Sequence, residues 1–261
     1  MMKHRAMQTF LLVVTVILAL GLLAGARSSD WRTASREPVG LAPDPAATPE
    51  AVVQVYAARA VSWRGYFGVH SWVAVKPTGA QTYTVYEVIG WRLRYSDSAL
   101  AIRNRGPDER WFGAVPELLA DRRGPGAEAL IARIDRAARE YPYAGEYSIW
   151  PGPNSNTFTA WVARAVPELE IDLPPTAIGK DYLRDRMIAT APSGSGFQLS
   201  LNGLFAFTAS AVEGLEINVL GAAFGFNPFR PAIRLPIVGR LGVPRSGSAV
   251  IPAGPRPSGD A

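Results

Sequence analysis

Cysteine is absent from the 261 residues. That excludes disulfide staples, thiolate metal sites and a cysteine nucleophile. Histidine is almost absent too, with only His4 and His70 in the chain. His4 sits in an apolar leader, so His70 is the sole imidazole of the body. A multi-histidine metal site is therefore impossible, and general-base chemistry near neutral pH would fall to His70. No residue pattern calls for a metal or a cofactor. Nor do the basic residues form a footprint. The net charge is +5, but the densest group, Arg92, Arg94, Arg103 and Arg105, is strung along the chain with acidic residues nearby. Nucleic-acid recognition would concentrate Lys and Arg on one face of a recognisable module, so that partner class is set aside. No internal repeat is visible.

What is present is an ordinary globular balance, 48% hydrophobic and 19% charged. A body of more than about 150 residues buries enough surface to fold without staples. Lys3, His4 and Arg5 precede an apolar run over residues 10–26, broken only by Thr15. Such a run satisfies its backbone in hydrocarbon as a helix, and its basic flank stays cytoplasmic. The expected partner is thus a lipid bilayer, engaged through the N-terminal helix. The expected location is the inner (cytoplasmic) membrane, single-pass, with the N-terminus cytoplasmic and the body outside. Ala24-Gly25-Ala26 also has the small-x-small form of a cleavage site, which would release a periplasmic or secreted body. Residues 204–226 are apolar as well, but Glu213, Glu216 and Asn218 lie among them and argue against a second span.

The remainder divides by composition. Residues 27–49 are rich in Pro, Ser and Ala and read as a linker. Strands are expected over 52–61, 69–76 and 81–89, the last two forming a hairpin around Pro77-Thr78-Gly79-Ala80. Residues 92–126 are irregular. Leu130, Ile131, Ile134, Ala138 and Tyr141 form the stripe of an amphipathic helix over 127–141. A short strand over 146–150 leads through Pro151-Gly152-Pro153 to a second helix carrying Phe158, Trp161, Val162 and Ala165. Residues 181–189 have helical character. Residues 191–243 read as an antiparallel β extension and 244–261 as a disordered tail.

A candidate site follows from two ends of the chain. Ser155 opens the second helix, where backbone N–H groups favour developing negative charge. His70 lies on a strand. If the hairpin closes tightly, Val75 faces Thr82 and His70 faces Glu87, which would orient the imidazole and stabilise its charged form.

A histidine on a strand followed by Asn154-Ser155-Asn156-Thr157-Phe158 at a helix start resembles the circularly permuted papain-like fold. That group includes permuted NlpC-type peptidases, lecithin:retinol acyltransferase relatives and permuted desumoylating peptidases. The chain also resembles an uncharacterised bacterial family, a domain of unknown function typical of envelope proteins. The resemblance covers residues 50–170 or so and implies an α+β papain-like domain, here bounded at 50–190. In it Ser155 takes the nucleophilic cysteine's place, and Asn154, Asn156 and Trp72 flank the site as binding residues. A hydroxyl is much less acidic than a thiol, so Ser155 is a nucleophile only with strong base assistance. Otherwise it caps the helix.

Three functions stay open at this level. One is an envelope protein that binds a peptide, glycan or lipid without cysteine chemistry. Another is a serine-based amide or ester hydrolase or acyltransferase using Ser155, His70 and Glu87. The last is a structural or assembly partner.

Overall fold

A computed structural model describes residues 31–243 and 249–252. The expected membrane helix and its cleavage site lie outside the described residues. Among the described residues no helix is long and apolar enough to cross a membrane. The chain is α+β, built on two sheets that are antiparallel throughout except for one short pairing.

The first sheet has six strands: β1 (Val52–Arg59), β2 (Val69–Lys76), β3 (Thr84–Val88), β4 (Leu100–Asn104), β5 (Glu117–Arg123) and β13 (Ala249–Val250), in the order β13-β5-β1-β2-β3-β4. Apolar residues cover both of its faces. Val53, Val55, Val73 and Val75 pack under two helices, α1 (Ala127–Arg139) and α2 (Ser155–Ala165). Val52, Tyr56, Trp72, Ala74 and Val85 fill the other face beneath Trp111. A strand buried on both faces shows unbroken burial rather than alternation, and β1 is buried along almost all its length. The α1 stripe of Leu130, Ile131, Ile134 and Ala138 is buried against this sheet, as its spacing predicts.

The hairpin register differs from the expected one by two residues. Val75 pairs with Thr84 and Val73 with Tyr86. The loop is longer than a tight turn because its backbone is tied elsewhere: Gly79 donates to the carbonyl of Pro49, and the Tyr83 hydroxyl donates to that of Pro43. A shift of two preserves which face each side chain occupies.

Those same bonds correct the linker reading. Residues 35–49 are laid along the body. Gly113 donates to the Ser35 carbonyl, Arg110 to that of Glu37, and Asp108 accepts from the amides of Leu41 and Ala42. The composition is that of a linker, but the backbone finds fixed partners, which is the alternative to exposure to water. Of the expected tail, residues 249–252 are described and join the first sheet. β13 runs parallel to β5, and Ile251 exchanges backbone bonds with Arg123 and Gly126 while packing on the core. Two strands were hidden in the irregular stretch, β4 and β5. Residues 146–150 are irregular instead of a strand, hemmed by prolines, and 181–189 ends in a strand instead of a helix.

The second sheet is a meander of seven strands in sequence order, β6 (Ile188–Thr190), β7 (Gly196–Leu201), β8 (Phe205–Ser210), β9 (Gly214–Val219), β10 (Ala222–Asn227), β11 (Ala232–Leu235) and β12 (Gly239–Gly242). It begins a few residues before the expected boundary at 191. Residues 172–181 lie between it and the helices. Its inner face is polar: Lys180 pairs with Asp181 at 3.1 Å and with Glu216, and Arg234 pairs with Glu216 at 2.7 Å and with Asp172. Gln198 and Asn218 add bonds to Asp181. A Cβ at Gly225 would stand 2.6 Å from the Leu215 carbonyl oxygen and 3.1 Å from the stem of Arg234.

Candidate functional site

Alternation along β2 decides the site. His70, Trp72 and Ala74 point to one face, Ser71 and Val73 to the other. On the first face, His70 Nε2 lies 3.0 Å from Glu87 Oε2. Glu87 is fully buried and also accepts from Arg103 at 2.8 Å and from Arg105 at 3.3 Å. Since a carboxylate only accepts, the neutral ring carries its proton on Nε2. The imidazole stacks on Trp111 with centroids 3.7 Å apart and planes 13° apart. Trp111 stacks in turn on Trp91, at 5.9 Å and 25°. Phe112 meets both tryptophans edge-on, and the Arg36 guanidinium lies 4.0 Å above its ring. Trp91 is 42% exposed, so this ladder runs from a buried imidazole out to solvent.

The electrostatics follow from burial. Desolvation pushes the His70 pKa down, and Arg105 and Arg103 push the same way, while the bond to Glu87 opposes them. The ring is neutral, not the charged form anticipated from its carboxylate neighbour. For Glu87, burial alone would raise the pKa. The hydrogen bonds from His70 and Arg103 and the charge of Arg105 outweigh it and hold the carboxyl well below its ordinary range. With His70 neutral, the positive charge that Glu87 feels comes from the arginines.

The helix α2 docks on the opposite face. Asn154 is its cap: the side chain accepts from the amides of Asn156, at 2.9 Å, and Thr157, and Thr157 Oγ1 accepts from the Asn154 amide. The Asn154 amide group donates to the carbonyls of Ile149 and Ile178. Asn156 donates to Val69 and Ile178 and accepts from Ser71 at 2.8 Å. Ser71 also meets Thr159 and the Ser155 carbonyl. Gly179 closes over this knot at φ +95°, where any side chain would strike the Asn154 amide.

The sequence-level candidates therefore separate into two groups. His70 and Glu87 are joined. Ser155, Asn154 and Asn156 belong to the knot at the start of α2, and among the described residues no hydrogen bond links Ser155 to His70. Ser155 and His70 are both buried, and consecutive residues of β2 serve the two sites from opposite faces. Asn154 and Asn156 spend their amides internally. Trp72, expected to flank a ligand, is fully buried, stacked on Tyr56 and donating to the Pro107 carbonyl. The residues that sequence reasoning missed are Trp111, Trp91 and Ser71. The arginines had a signal: Arg103 and Arg105 alternate with Ala101, which pairs with Glu87, so they share its face. No cluster among the described residues could hold a metal ion.

A family model, "Protein of unknown function (DUF3750)", matches residues 50–182, and the chain belongs to that family. The match ends just after the knot and the buried Lys180–Asp181 pair, so the seven-stranded sheet lies beyond it. No curated protein and no solved structure matches the chain.

Proposed function

We propose that this is a non-catalytic binding domain of the cell envelope, anchored by its N-terminal apolar run, in which the papain-like nucleophile position, Ser155, is only the first residue of a helix capped by Asn154. The observation that carries this reading is the ladder His70–Trp111–Trp91, with its exposed end flanked by Phe112 and Arg36. An exposed indole supported from behind is a rigid platform on which a flat apolar face stacks at little entropic cost. A sugar ring offers such a face, and the Arg36 guanidinium suits a carboxylate carried by it. The favoured ligand is accordingly an acidic glycan of the envelope.

The hydrolase reading draws on the His70–Glu87 pair alone. A serine hydroxyl needs a base within hydrogen-bond reach and an accessible surface. Neither accompanies Ser155, which is buried and lies with Ser71 on the face of β2 opposite His70.

Titration with soluble acidic cell-wall glycan fragments, followed by tryptophan fluorescence, tests the proposal. Binding should persist in Ser155→Ala and fall at least tenfold in Trp91→Ala. Turnover of an ester or amide substrate that disappears in Ser155→Ala would overturn it, as would binding indifferent to Trp91.

A further inference from the structure

The second sheet is turned inside out. One row across it, Ile188–Leu199–Phe207–Ile217–Phe224, is joined by direct cross-strand pairs and faces away from the molecule. The neighbouring row, Phe226 with Ile233 and Ile233 with Leu241, continues the same face. Strand by strand, the residues between these are the buried Gln198, Thr208, Glu216 and Arg234. The outward face carries no charged side chain within the strands. Some twelve large apolar residues of β6–β12 stand about half exposed on it, for example Phe205 at 47% and Ile217 at 54%. With such side chains offering about 150–250 Å² each for the aromatics and less for the aliphatics, the patch is on the order of 1,000 Å². A soluble monomer's largest patch is typically about 300–600 Å².

We propose that this face is the interface with a second copy of the same chain, two seven-stranded sheets packing face to face about a two-fold axis. The area matches a standard interface, which removes about 800 Å² from each partner. A uniformly apolar face complements itself, as an isologous contact requires. Sheet-on-sheet packing places the two backbones about 10 Å apart, and aliphatic and aromatic residues interdigitate at that distance. It also leaves the free edges of β6 and β12 at the wet rim, whereas immersion in lipid would bring unpaired edge groups toward hydrocarbon, where open edges are not tolerated.

The absence of native cysteine makes the test clean. Ile217→Cys and, as a control on another surface, Tyr95→Cys are introduced singly into the full chain in its host membrane and treated with a short bifunctional maleimide. The proposal predicts a several-fold excess of cross-linked dimer from position 217 over position 95. It also predicts that a second substitution on the face, Phe226→Lys, removes that excess while the thiol still reacts with a monofunctional maleimide. Equal yields at the two positions would overturn it. So would a thiol at 217 that is shielded from the water-soluble reagent and gives no dimer, since that pattern belongs to the bilayer or to a different partner. Leu199→Cys repeats the measurement should Ile217→Cys fail to fold, and the same two outcomes decide.

Discussion

The two sheets of this molecule solve burial in opposite ways. The first buries apolar residues on both faces and holds its polar groups as isolated exceptions, such as His70 with Glu87. The second buries a continuous ionic layer and shows water its apolar side. In the first sheet the hydrophobic effect drives folding directly. In the second, charge pairs orient the sheet on the body, and its apolar surface is left for contact outside the described chain. A buried ion pair contributes little net stability over an apolar replacement, yet losing one partner leaves an uncompensated charge. The second sheet is thus positioned by specificity more than by stabilisation.

The largest effect expected from that contrast is at Arg234. It is fully buried between Glu216 and Asp172. Arg234→Ala leaves Glu216 to Lys180 and Asp172 to Arg240 in a buried layer that has lost one positive charge, and should cost about 3–5 kcal/mol in urea denaturation, with hydrogen exchange rising in β9–β11 before β1 and β2. Uniform loss across both sheets would break the distinction between them.

Acid should act next, and in two stages. The folded pKa of His70 lies below its ordinary value, so the unfolded chain takes up the proton first. Its contribution to stability is complete above about pH 6.5 and declines as pH falls toward the folded value. Glu87 is also held low, so its contribution is complete above about pH 4.3 and is lost as pH falls through its folded pKa. Thermal melts should fall through both windows, and Glu87→Gln should lower the imidazole pKa further by NMR titration. An imidazole that titrates above its ordinary value would contradict the buried neutral assignment.

Smaller again is the cap. Asn154→Ala removes the side chain that holds the first turn of α2 and should cost about 1–2 kcal/mol, more than Ser155→Ala, whose hydroxyl makes no comparable bond. Chemical denaturation of the two variants sharpens the claim that the motif at 154–157 is structural.

Much of the first sheet was legible in the sequence because its signals are local. The alternation of His70, Trp72 and Ala74 against Tyr83, Val85 and Glu87 places His70 and Glu87 on one face whether the register sums two residues higher or lower. The docking of residues 35–49 and 249–252 was not legible, since the carbonyls of Ser35 and Glu37 find partners some seventy residues away and composition carries no trace of them. Placing Ser155 beside His70 failed for a related reason. The spacing of the two motifs says nothing about which face of β2 receives the helix, and it is Ser71, one residue on, that receives it. In the second sheet, alternation announced strands but not which set of residues turns inward. The usual expectation of apolar residues inside gives the wrong sign here, because Lys180, Asp181 and Asp172 arrive from outside the sheet to pair with its polar face.

That sign is the account's central claim, and a pair of adjacent positions in β7 tests it directly. Ser200 is buried and donates to the Asp181 carbonyl, while Leu199 stands on the outward face. Each is replaced singly by cysteine in a chain that also carries Phe226→Lys to keep the outward face free, and thiol reaction rates are compared with those of the urea-unfolded protein. The account predicts a Leu199→Cys thiol that reacts within a few-fold of the unfolded rate and a Ser200→Cys thiol that is protected by orders of magnitude. Protection at 199 with rapid reaction at 200 would mean that the sheet buries its apolar face after all.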